Sequence, residues 1–186
     1  MSANTRKREA ASLFSKAERS LQDGNALECA EVAEEALEIF RGLGVDGQTA
    51  SADTLRLLVE GRRQHCLQVG EDPTEVKKFA EEERRKFEEA QHRRGEALML
   101  ISLAEIALDL RKRGGQFPTL QPVEKALEIV RTLGDKRLEG IALLTLSDIH
   151  LARFALVEAK TNAESAAPCF EDLGDRVNKA RAVRNI

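Results

Sequence analysis

The chain holds 186 residues, enough for about one domain, and sets Lys+Arg 29 against Asp+Glu 32 for a net charge of −3. That near-balance argues against a dedicated polyanion binder, which shows a lopsided basic surplus. Aromatics at 4%, with no Trp or Tyr, argue against a β-sandwich, and 12 Gly with 4 Pro leave few breakers among the Ala, Leu and charged residues of a helical chain.

In chain order, the periodicity predicts a helix over 5–22, a break at Asp23-Gly24-Asn25, and a second helix over 26–41. A third helix follows over 49–69. Asp72-Pro73-Thr74-Glu75 then opens a fourth over 74–93, with an N-cap, a Pro at N1 and a Glu at N3. Helices over 95–112 and 121–132 flank a loop at 113–120, and helices over 136–154 and 157–172 make a further pair. Residues 176–186 begin a ninth helix. Stacked repeats need capped ends, so this segment reads either as a short cap or as the first half of a further repeat.

A repeat runs through these elements. Ala36-Leu37-Glu38-Ile39-Phe40-Arg41-Gly42-Leu43-Gly44 returns as Ala126-Leu127-Glu128-Ile129-Val130-Arg131-Thr132-Leu133-Gly134, and more weakly as 166–174. Arg94-Gly95 is expected to mark the intermediate joint. In Leu133-Gly134-Asp135 and Leu173-Gly174-Asp175, Leu closes an apolar seam, Gly takes a left-handed C′ position and Asp caps the next helix. Joints this short force antiparallel neighbours, which defines a helical-hairpin repeat.

These residues resemble the tetratricopeptide repeat (TPR) family over essentially the whole chain. Leu13, Ala17, Gly24, Cys29, Ala33 and Ala36 sit at its small-and-large positions in the first hairpin, as do Leu143, Leu146, Ser147, Ala159, Ala163 and Ala166 in the fourth. The period near 40 is similar to the longer-period subgroup, found in adaptor proteins of the polarity-regulator and kinesin-light-chain kind. The second unit departs from the pattern: it is longer, and carries Gly61-Arg62-Arg63 where small apolar residues would stand. The resemblance implies an all-α, right-handed α-solenoid, one domain over 1–186. Its four hairpins would lie at about 5–41, 49–93, 95–132 and 136–172, followed by a C-terminal partial helix. It also implies protein binding on a concave wall built from the first helix of each hairpin.

Three of those first helices share one spacing. Phe14, Glu18 and Leu21 match Leu98, Ile101, Glu105 and Leu108, and again Ile141, Leu144, Asp148 and Leu151. Offsets of 3, 7 and 10 place each set on one helical face. The opposite faces, Leu100, Leu103 and Ala107, or Leu143, Leu146 and His150, form a seam with the partner helix. Two readings stay open. Helices apolar almost all round are simply core, or the shared face is an apolar groove with one carboxylate per repeat, suited to an amphipathic peptide bearing Lys or Arg.

The charge-dense stretch 75–94 reads as a solvated outer helix tied by Glu81–Arg85 and Glu82–Lys86 pairs, or else as a docking rail. Arg62-Arg63-Gln64-His65 and His92-Arg93-Arg94 are small basic clusters, but neighbouring acids and missing aromatics argue against nucleic acid. No phosphate loop, GxSxG, HExxH, GxGxxG or EF-hand pattern occurs, and His65, His92 and His150 are too scattered for a metal set. The expectation is a non-enzymatic scaffold or adaptor with no cofactor and no metal, and with another protein as partner. The alternative is a structural subunit of a stable or self-associated assembly, or a fragment of a larger repeat protein.

Cys29, Cys66 and Cys169 lie far apart with no CxxC pair, which predicts a reducing, cytoplasmic setting. The basic start Arg6-Lys7-Arg8 has no apolar stretch behind it, unlike a secretory signal. The apolar stretches 97–110 and 141–154 carry Glu105, Asp109, Asp148 and His150, so no membrane span is expected.

Overall fold

The computed structural model describes residues 2–186, and these form nine α-helices and no β-strand. They are α1 (Ala3–Gln22), α2 (Ala26–Arg41), α3 (Gln48–Val69), α4 (Thr74–Glu89), α5 (Arg93–Lys112), α6 (Gln121–Leu133), α7 (Lys136–Ala152), α8 (Leu156–Glu171) and α9 (Arg176–Arg184), with a 3₁₀ turn over Gly44–Gly47. The chain is therefore all-α.

Local chemistry sets the ends. Ser2 caps α1 by accepting from the Thr5 amide at 3.2 Å. Before α4, the Asp72 carboxylate accepts from the Thr74 amide at 2.8 Å. Gly134 adopts φ +70° and Gly174 φ +67°, left-handed values that a Cβ disfavours. Asp135 and Asp175 follow them and accept from the amides of Leu138 (3.0 Å) and Asn178 (3.1 Å). The Leu-Gly-Asp joint thus works as the residues predict at both of these sites. Two joints differ. After Gly44 the chain enters the 3₁₀ turn rather than an Asp cap. The expected joint at Arg94-Gly95 lies inside α5 instead, because Gln91 supplies the left-handed residue (φ 53°) and His92 the cap.

Two compact units divide within α4, Met1–Glu82 and Glu83–Ile186. In the first unit, α1 packs on α2, α2 on α3, and α1 reaches α3. Its core is rich in small residues: Ala10, Ala17, Ala33, Ala36 and Ala52 are fully buried around Leu55 and Leu58. Small side chains let helix axes approach to about 8 Å, the short end of the usual range. Gly61 is the extreme case, since a Cβ there would lie 2.9 Å from the Ala30 amide nitrogen.

The second unit packs α5 on α6, α6 on α7, α7 on α8 and α8 on α9, with α5 touching α7 and α7 touching α9. Its fully buried side chains include Met99, Ile101, Ile106, Val130, Ile149 and Phe170. At the α7–α8 seam, the Ser147 hydroxyl donates to the Ala159 carbonyl at 2.8 Å. Among the described residues, no helix is long and apolar enough to cross a membrane.

Candidate functional site

In the second unit, the shared face of α5 and α7 divides by burial. Leu98, Ile101 and Leu144 are 2%, 0% and 2% exposed, so these three are core side chains. Glu105, Leu108, Ile141, Asp148 and Leu151 are half-buried and meet solvent. The seam residues Leu100, Leu143 and Leu146 are buried, while Leu103, Ala107 and His150 are half-buried. Asp148 is already engaged: Arg181 Nη2 donates to its Oδ2 at 3.1 Å and Asn185 Nδ2 to its Oδ1 at 2.7 Å.

In the first unit, Phe14 packs against the cluster of Ala10, Ala36 and Phe40, and Glu18 and Leu21 are half-buried. Here α3 adds residues that sequence reasoning missed. Asp53, Arg56, Glu60 and Arg63 repeat the offsets 3, 7 and 10, so the carboxylate position recurs in α3 as Glu60. Its signal in the sequence is the same spacing filled by charged instead of apolar residues.

Glu60 sits in a built polar cluster. Arg63 grips it with both nitrogens, Nε to Oε2 at 3.0 Å and Nη2 to Oε1 at 2.8 Å, and Gln64 Nε2 donates to Oε1 at 3.0 Å. Burial pushes the Glu60 carboxyl upward, but the Arg63 charge and hydrogen bonds, joined by Arg56 and Gln64, outweigh it and hold the pKa down at about 2. The neighbouring Cys29 thiol is pushed up to about 11, first by burial and then by the charges of Glu60 and Glu18. Such a thiol is a packing group rather than a nucleophile.

The basic clusters are spent inside the fold. His92 caps α5 through Nδ1, which accepts from the Gly95 amide at 3.0 Å, while its ring lies 5.2 Å from that of Phe87. Arg93 pairs with Glu96 at 3.1 Å and Arg94 with Asp135 at 3.3 Å. Arg62 bridges to Glu34 at 2.8 Å and covers the Phe79 ring at 4.7 Å. Glu96, 1% exposed, has the Lys125 ammonium 2.6 Å from Oε1 as an ion partner, although no well-aligned hydrogen bond reaches that oxygen. On α4, Glu81 pairs with Lys77 and Lys86 with Glu83, in place of the expected Glu81–Arg85 and Glu82–Lys86 pairs. Both choices keep the i,i+3 or i,i+4 geometry of an α-helix.

A surface cleft of about 520 Å³ is lined by Ala3, Asn4, Arg6, Lys7, Gly42, Leu43 and Asp46, and a smaller one of about 150 Å³ by Arg93, Lys125, Glu128, Ile129, Thr132 and Leu133. Neither sets a Ser, Cys or His beside a carboxylate. Among the described residues, no group of three His, Cys, Asp or Glu converges as a metal site. The sequence matches no protein-family model, and no curated protein is significantly similar to it.

Proposed function

We propose that the hairpins are TPR-like repeats forming a right-handed solenoid, and that the protein is a non-enzymatic scaffold or adaptor binding a peptide or helix of another protein. The support for repeat stacking is local: α1 touches α2 and α3, α5 touches α6 and α7, and α7 touches α8 and α9, as successive hairpins require. The observation that carries the binding reading is the half-buried face of α5 and α7 in the second unit, where Leu108, Ile141 and Leu151 accompany Glu105; Asp148 and Glu60, at the same register, are engaged by Arg181 and Arg63. This mixed face suits an amphipathic segment bearing Lys or Arg. A reducing, cytoplasmic setting accords with three free cysteines. The alternative, a subunit of a stable assembly, is favoured by large apolar side chains left exposed, among them Phe154 at 82% and Val157 at 77%.

The burial pattern chooses the test. Leu144→Arg would break the core, so the informative variants are Leu151→Arg and Glu105→Lys, at half-buried positions. Partners captured by the tagged wild-type chain and identified by mass spectrometry are expected to be lost by both variants at unchanged helical content, and kept by Glu82→Lys on exposed α4. Equal capture by all four chains would remove this face as the binding site.

A further inference from the structure

Helix α9 is turned inside out. Beyond the buried Ala182, the side chains that tie it to the fold are polar: Lys179 donates to Glu171 at 2.7 Å, Arg181 to Asp148 at 3.1 Å, and Asn185, just past the helix, to Asp148 and to the Ser147 hydroxyl at 2.7 and 3.2 Å. Only Ala182 among its nine residues is fully buried. Outward, Val177 is 74% and Val183 56% exposed, with Leu173 at 51% just before the helix and Ile186 at 49% just after it. A helix on a protein surface normally does the reverse, hiding its apolar side and wetting its polar one.

The charge within α9 itself has one sign. Residues 176–186 contain Arg176, Lys179, Arg181 and Arg184 and no acid. Lys179 and Arg181 are taken by Glu171 and Asp148, whereas Arg176 and Arg184 are exposed. At 100° per residue, Val183, Arg176, Ala180, Arg184 and Val177 fall on one arc of about 120°. All five are exposed.

We propose that this arc is a docking surface for an acidic amphipathic helix of a partner protein. The partner's apolar side would cover Val177, Ala180 and Val183, and its flanking carboxylates would meet Arg176 and Arg184. Charge complementarity picks this occupant: a basic helix would set like charges together, and an uncharged one would leave both guanidiniums without a counter-charge. The surface lies on α9 and is separate from the α5–α7 face of the scaffold reading, so either can fail alone.

The experiment uses the full chain and a fluorescent synthetic helix with Leu at every third or fourth position flanked by Glu, read by anisotropy. Its control is the same peptide with Lys replacing Glu. Wild type is expected to bind the Glu peptide at least tenfold more tightly than the Lys peptide. The Val177→Asp/Val183→Asp double variant should lose at least tenfold in affinity, with circular dichroism unchanged. Arg176→Glu/Arg184→Glu should reverse the preference, which a misfolded chain could not do. Equal binding of both peptides, or no effect of either double variant, overturns the proposal. So does a dimer seen by light scattering that Val183→Asp dissolves, because the occupant would then be a second copy.

Discussion

Helices α3 and α7, one in each unit, carry the same four-position spacing and fill it differently. In α7 the positions hold Ile141, Leu144, Asp148 and Leu151, and in α3 they hold Asp53, Arg56, Glu60 and Arg63. The second position of α7 is core, with Leu144 at 2% exposure, while all four positions of α3 are half-buried. The two carboxylates also find their cations by different routes. Glu60 is gripped by Arg63, three residues along the same helix, but Asp148 waits for Arg181 from α9, joined by the Asn185 amide just beyond it. One carboxylate is therefore satisfied locally, and the other only by tertiary packing.

The largest expected effect tests the burial half of that contrast. Leu144→Ala empties a fully packed site and should cost about 2–5 kcal/mol. Leu151→Ala, half-buried in the same helix, should cost no more than about 1 kcal/mol, since less area leaves water. Urea unfolding of both variants measures the difference. Equal losses would mean that the two positions share one environment.

The second prediction concerns the locally satisfied carboxylate. Arg63→Met leaves Glu60 without its bidentate partner and should cost about 1–3 kcal/mol at neutral pH, the penalty of stranding a charged acceptor. The sign with pH follows from the depressed pKa. Ionised Glu60 stabilises the fold fully above the ordinary carboxylate value near 4.5, and this contribution fades as pH falls toward about 2. The stability gap between wild type and Arg63→Met should therefore be widest above pH 5 and narrow steadily between about 4.5 and 2. A gap independent of pH would show that Arg63 acts through packing alone.

This contrast marks how far the residues could be read in advance. The helix end at Gly134-Asp135 was legible because each residue type has one strong local role there. At Asp72-Pro73 the register slipped by one: α4 starts at Thr74, and Pro73 rather than Asp72 gives the carbonyl that accepts the first helical bond, from Lys77. Gly95 misled, because a glycine can mark a turn or a close approach: it sits in α5 where a Cβ would strike the Phe87 ring at 2.5 Å. The half-buried positions of α5 and α7 could not be separated from the buried ones by periodicity. In a helix apolar on both sides, the period fixes which residues share a face but not which side of that face neighbouring helices cover. Nor could spacing show which of the nearby cations Glu60 and Asp148 would recruit. Arg63 is local, but Arg181 reaches Asp148 only because α9 folds back on α7.

The smallest effect comes from the joints. Gly134 and Gly174 end α6 and α8 in the left-handed region at little steric cost, but the end of α7 puts Phe154 there, at φ 61°. A β-carbon in this conformation costs roughly 1–2 kcal/mol. The exposed ring recovers little of it, being 82% accessible. Phe117, by contrast, is half-covered by the Arg111 guanidinium at 4.0 Å. Phe154→Gly removes the strain but enlarges the unfolded ensemble by about 0.5–1 kcal/mol. The net expectation is a gain of about 0.5–1 kcal/mol, seen as a small rise in Tm. A fall in Tm would mean that the phenyl ring makes contacts that stabilise the α7–α8 turn, and that this joint does not follow the glycine logic of the other two.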